Sequence, residues 1–289
     1  MITGKYIVSG CFGAILTVLA GPALAQWSSS SGGNGGNGGC NTLPKWQALK
    51  SALTTAVHES GNGGLGNNMW ATVVDNSGIV CAVAFSGADY TSQWLGSRVI
   101  SAQKANTGNA FSLGLGAGGT VIALSSANLY SAVQPGGSLY GLQASNPVET
   151  DVAYGNSSGG QGNPPTSASS FGTTSDPLVG KRVGGINVFG GGLALYVGGK
   201  RVGGLGVSGD TSCTDHMVAW WTRSLLQQDG FSGVGGVNSD PNRPDNIIFD
   251  IAVNAVGVGA IGVSKGGFGH PTCLNNPTAA AVSNLPKVR

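Results

Sequence analysis

Between Gly180 and Gly209 twelve of thirty residues are glycine, yet Val, Leu, Ala and Tyr recur among them at strand spacing. A strand built this way has little side-chain bulk over its own backbone. Something must approach that backbone closely: a flat ligand, a second subunit, or a helix of the same chain. The run ends where a helix begins, with Cys213, Asp215 and His216 close together.

The N-terminus has the order of a secretion signal. Lys5 precedes the mostly apolar Tyr6–Leu19, and Ala23-Leu24-Ala25 fits cleavage before Gln26. The apolar stretch is short and breaks at Gly21-Pro22, which argues against a permanent membrane span. A secreted or periplasmic protein is expected. Residues 26–43 form a Gly/Ser/Asn-rich linker, 44–228 a single domain, and 229–289 an extension packed on it. Only 9% of residues are charged and the formal net charge is +2. No basic patch or helix is visible, which excludes a steered nucleic-acid or anionic-lipid partner. Past the signal, Cys40, Cys81, Cys213 and Cys273 make an even count in an exported chain, with three possible connectivities. Cys40–Cys81 with Cys213–Cys273 is favoured, because the second bridge would pin the tail to the last core helix.

Helix signals cover Pro44–Glu59, with Trp46, Leu49, Leu53, Ala56 and Val57 on one stripe, and Gly96–Leu113. Ser125 or Ser126 is placed to cap a short helix ended by Pro135-Gly136-Gly137, and a last core helix spans about Thr214–Gln228. Ser212 and Asp215 have capping-box spacing. Strands are expected at Trp70–Asp75, Ile79–Phe85, Gly185–Phe189, Leu193–Val197 and Val202–Ser208, with a further one at Asn246–Val253. Asn76-Ser77-Gly78 and Gly198-Gly199 form the two tight turns. Asn156–Asp176 is a long polar loop. The order predicts an α+β fold: a central, mainly antiparallel, five-stranded sheet packed with helices. The glycines around 190–192 and 203–206 lack dinucleotide-binding spacing, no GxxxxGK[ST] loop occurs, and no Gly-x-Ser-x-Gly elbow is present.

Three segments in this order, MWATVVDNSGIVCAVAFSG, SRVISAQKANTGNAF and INVFGGGLALYVGGKRVGGLGVSGDTSCTDHMVAW, resemble the GlcG/HbpS-like, haem-degrading-domain-like family over roughly Pro44–Leu226. The resemblance implies an α/β domain with an antiparallel sheet, homo-oligomers and, from an exported member, haem binding. Other members accompany small-acid or corrinoid metabolism. Lys104 matches the family's helix lysine, Gly199–Gly209 its glycine strand pattern, and Asp215 its acidic residue at the following helix start. The long loop, the cysteines and the tail depart from the pattern.

Each chemistry-bearing residue has two readings. His216 is a haem or metal ligand, or a general base, oriented by a neighbouring carboxylate; alternatively it is a surface or contact histidine. His270, brought over the core pocket by a disulfide-held tail, is a second candidate haem ligand, whereas His58 reads as an exposed helix-end residue with a ligand role as the alternative. Lys104 neutralises a ligand carboxylate such as a haem propionate, serves as an acid or base, or snorkels from its helix. Arg98 is a weaker anion-binding candidate, expected in water at a helix start. Phe189 and Gly191 belong to the wall and floor of a haem site, with tight packing as the alternative. Trp220 and Trp221 read as core, and Asp75 and Asp210 as turn residues. The functions that follow are an exported haem- or small-ligand-binding protein, a cofactor-independent enzyme acting on a small acid through Lys104 and a histidine, or a structural assembly protein.

Overall fold

Antiparallel pairing of two hairpins organises the chain. The computed structural model describes residues 39–116, 121–155, 167–252 and 264–289; the expected signal and most of the linker lie outside them. In chain order the regular elements are α1 (Trp46–Val57), β1 (Trp70–Asp75), β2 (Val80–Phe85), α2 (Ser97–Phe111), β3 (Ile122–Ala123), α3 (Thr150–Tyr154), β4 (Gly192–Val197), β5 (Lys200–Ser208), α4 (Ser212–Leu225), β6 (Gly235–Gly236) and α5 (Ala279–Ser283). The main sheet has the order β2-β1-β5-β4 and is antiparallel throughout. β3 and β6 form a separate, parallel, two-stranded pair.

Local chemistry sets both hairpins. Gly198 and Gly199 adopt φ of 55° and 75°, the left-handed pair that a two-residue turn between right-twisted strands requires. At the other turn, Asp75 Oδ1 accepts hydrogen bonds from the Ser77 and Ile79 amides at 2.8 and 2.9 Å. Strand alternation then divides the side chains between two layers. Ala71, Val73, Leu193, Leu195, Leu205 and Val207 enter one core with α1 and α4. On the opposite face Thr72 bonds Ser101 of α2 at 2.7 Å, and Trp70 and Val74 join a second core with Val99, Ala102 and Ala105.

The glycine strands receive α2. A Cβ on Gly206 would lie 1.9 Å from Ser101 O, one on Gly204 2.1 Å from Ala105 O, and one on Gly192 2.3 Å from Lys104 O. Helix and sheet therefore meet backbone to backbone, and helix–sheet packing is what comes close to these strands. Both outer sheet edges are covered as well. Val80 exchanges hydrogen bonds with Gly180 and Lys181, and Tyr196 with Gln228 and Gly230.

The expected five-stranded sheet is corrected to four strands plus the separate pair. Gly185–Phe189 is not a strand, because α2 side chains take its backbone: Asn106 Nδ2 donates to Gly185 O, and Asn187 N donates to Thr107 Oγ1. The segment after Ser125 forms turns and a 3₁₀ turn at Ser131–Val133 instead of a helix, with the Asn128 carboxamide competing for the Ser125 amide. Residues 246–252 carry no strand, and Val253 lies outside the described residues, as does 156–166 of the polar loop. At α4 the cap is Thr211, whose side chain accepts the Thr214 amide, so Asp215 is free to turn elsewhere. Arg98, expected in water, is buried against Asp176 and stacks on Phe171. Both favoured disulfides are present, Cys40–Cys81 and Cys213–Cys273.

The helix–sheet contact predicts a graded response to single methyl groups. Gly206→Ala forces backbone apart and is expected to destabilise the protein by about 3 kcal/mol or more. Gly96→Ala, where nothing lies within 4 Å, is expected to stay within about 0.5 kcal/mol. Urea unfolding midpoints compare the two.

Candidate functional site

Lys104 comes from the middle of α2 and Asp215 from the first turn of α4, and they meet at the start of β4. Lys104 Nζ lies 2.6 Å from Asp215 Oδ2 and 3.2 Å from Val207 O. The Phe189 ring centroid is 4.4 Å from the ammonium. The other Asp215 oxygen accepts the Gly209 and Asp210 amides at 3.1 and 2.9 Å. Gly191, at φ 116°, leaves the gap through which they meet: a Cβ there would lie 3.0 Å from Asp215 Cβ and 3.2 Å from Lys104 Cδ. Burial pushes the Asp215 carboxyl up to about 6 and draws the Lys104 ammonium below its ordinary value, while their mutual attraction opposes both shifts. Lys104, Asp215, Phe189 and Gly191 thus form one cluster, with the ion pair buried and Phe189 half-buried at its margin.

His216 follows Asp215 but faces another partner. Its ring is fully buried, with Nε2 3.1 Å from Asn246 Oδ1. The Asn246 Nδ2 group donates to Val282 O, and its Oδ1 also accepts the Ile247 amide at 2.9 Å. The Ile247 amide also reaches His216 Nε2, at 3.1 Å, so both neighbours converge on that nitrogen and Nδ1 has no partner. Burial holds the His216 pKa down to about 3.

His270 is also buried, beneath the tail. Its Nδ1 lies 2.7 Å from Pro271 O, which assigns the hydrogen to Nδ1 and the lone pair to Nε2, 3.3 Å from Ser212 Oγ. The Tyr130 ring centroid stands 5.1 Å away. Burial again lowers the pKa, to about 4. His58 is exposed just beyond α1. Trp220 is buried and donates to Pro286 O, while Trp221 packs at the core margin.

His216 Nδ1 is a buried nitrogen without a partner, but the surroundings do not fit a macrocycle. The ring has no exposed surface, and the 245–247 segment lies over it, anchored by a fully buried Asp245–Arg223 ion pair at 2.6 and 2.9 Å. Neither Lys104 nor His216 lines any of three cavities bounded by the described residues. One, of about 550 Å³, is a groove between α1 and the end of α4. Another, of about 330 Å³, lies beside Asp250 and Phe268. The third, of about 520 Å³, is bounded by Tyr130, Gln134, Ser138, Ile251 and Ser264, with no charged side chain in its lining. Tyr130 joins this cavity to the buried His270. Sequence reasoning missed it, since Pro135-Gly136-Gly137 signalled only the end of a helix.

Asp215, His216 and His270 give stability a definite pH slope. Below about pH 6 the unfolded chain protonates both histidines while the folded chain keeps them neutral, a difference of two protons. Asp215 opposes this with one proton, being protonated in the folded state below about 6 and ionised when unfolded down to 3.8. About one net proton is therefore taken up on unfolding between pH 4 and 6, and stability falls on acidification across that window. His216→Gln is expected to flatten the slope to near zero, as read from denaturation midpoints against pH.

No curated protein matches the chain. Among solved structures, protein ORFY of Klebsiella pneumoniae is similar at 22% identity, with 63% of this chain and 90% of that one covered and a TM-score of 0.37. A PduOC–haem complex is similar at 21% identity, covering 62% of this chain and 89% of that one, with a TM-score of 0.38. Residues 45–221, more than half of the chain, match the family model described as haem degrading protein HbpS-like, and the chain belongs to the HbpS-like family.

Proposed function

We propose that the chain is an exported small-ligand-binding protein, with haem the ligand class that its family brings forward. The observation carrying this reading is the uncharged cavity of about 520 Å³ between Tyr130–Ser138 and the Ile251/Ser264 segment. Its size and its mixture of apolar walls with a few hydroxyl and amide groups suit a small organic ligand. A flat ring there would rest against Tyr130, with the His270 ring behind it. His216 takes no part, since its ring is sealed by Asn246 and Ile247. Lys104 is likewise committed to Asp215, which weighs against turnover of an acidic substrate at that lysine. Homo-oligomer formation belongs to the same proposal, and exposed Trp94 and Leu95 are apolar surface available for it.

Hemin titration followed by absorbance tests the reading. Saturable uptake is expected, with Ser138→Trp at the cavity mouth weakening it about tenfold, equivalent to roughly 1.4 kcal/mol. His216→Gln is expected to leave the affinity unchanged. If folded protein takes up no hemin and native mass spectrometry of protein from its source finds no bound small molecule, the ligand-binding reading is wrong.

A further inference from the structure

At the N-terminus of α4, opposite the Lys104–Asp215 pair, three metal-ligating groups converge: Cys213, Cys273 and His270, with one ligand atom from each within 4.8 Å of the others. Joined as a disulfide, the two sulfurs are weak donors. As thiolates they would be strong ones. We propose that the Cys213–Cys273 disulfide is the closed form of a thiolate–imidazole site, opened by a dithiol reductant and taking a soft or borderline divalent cation such as Zn²⁺.

Spacing is the first support. Zinc bonds of about 2.3 Å to sulfur and about 2.0 Å to nitrogen in a tetrahedron separate the donors by roughly 3.5–3.8 Å. The Cys213 sulfur lies 3.9 Å from His270 Nδ1, and one ligand atom from each of the three residues lies within 4.8 Å of the others. Opening the sulfur–sulfur bond then calls for shifts of about 1–2 Å to reach ligand spacing. Orientation of the imidazole is the second. The His270 Nδ1–H donates to Pro271 O, which fixes the ring and leaves Nε2 as the free lone pair, an arrangement that metal-ligating histidines use. Stabilisation of the thiolates is the third. The Cys213 amide, in the first turn of α4, donates to Cys273 Sγ at 3.2 Å. Ser212 Oγ lies 3.4 Å from that sulfur and 3.3 Å from Nε2. Once Nε2 binds a cation, the hydroxyl is released to donate to the sulfur.

The chemistry balances in two steps. The external dithiol gives two electrons and two protons to the Cys213–Cys273 bond and becomes a disulfide, leaving two protein thiols. The cation then displaces both thiol protons and binds two sulfurs and Nε2, with water in the fourth position. Cys273 is the sulfur open to attack, being half-buried where Cys213 has no exposed surface.

Cobalt(II) titration of the full chain, with and without prior treatment by a dithiol, is the test. The reduced protein is expected to bind one equivalent with the absorption of tetrahedral thiolate coordination, and the oxidised protein none. His270→Ala is expected to weaken cobalt binding by tenfold or more in the reduced state, and Zn²⁺ to raise the melting temperature of reduced protein. A Cys40→Ser/Cys81→Ser variant, which keeps the α4 pair and removes the other disulfide, is expected to behave as the parent. Equal cobalt binding before and after reduction overturns the proposal. So does full-strength binding by His270→Ala, loss of binding in the Cys40→Ser/Cys81→Ser variant, or loss of near-ultraviolet circular dichroism on reduction.

Discussion

The backbone-to-backbone approach of α2 to β4 and β5 is the constraint on which the remaining structure depends. Gly192, Gly204 and Gly206 remove the side chains that would hold the helix away, and Ser101, Lys104 and Ala105 occupy the space. Lys104 is thereby carried into the interior with no path to water. A buried ammonium without a partner would be costly, so an anion must be supplied from elsewhere. Asp215 provides it from α4, past Gly191, and that demand fixes where α4 begins. The starting point of α4 in turn places Cys213 and His216 against the tail. One close contact thus determines the geometry of the candidate cluster.

The interior holds an unusual share of the charge of a chain that has little. Arg98–Asp176, Lys104–Asp215 and Arg223–Asp245 are all buried pairs. Removing one partner from such a pair strands the other and is far more damaging than any surface change.

Much of the domain was legible because its signals are local. The apolar stripe from Trp46 to Val57, the Asn76-Ser77-Gly78 turn and the Gly198-Gly199 turn each fit within a few residues. The disulfide pairing also followed from where a tail could usefully be held. Gly185–Phe189 misled because its alternation is satisfied by Asn106 and Thr107 side chains, a choice that strand periodicity does not register. The burial of His216 was hidden for a different reason. Its seal comes from Asn246 and Ile247, thirty residues away, in a stretch whose own pattern resembled a strand. Long-range contacts by irregular backbone leave almost no trace in spacing. The pairing of Lys104 with Asp215 lay in the same blind region, although each residue stood out on its own.

The tail has a consequence for the order in which the molecule assembles. Leu285 belongs to the principal core, Trp220 donates to Pro286 O, and Arg289 pairs with Asp229. Residues 39–228 consequently lack part of their apolar lining and several hydrogen-bond partners until the tail is in place. A nascent chain would hold a loose, unsealed sheet and helices while its later residues were still being made or threaded through a membrane. Closure would then be a late event, with the Cys213–Cys273 bond recording that the tail had arrived. Under the export proposed above, such lateness favours passage in the unfolded form and completion on the far side.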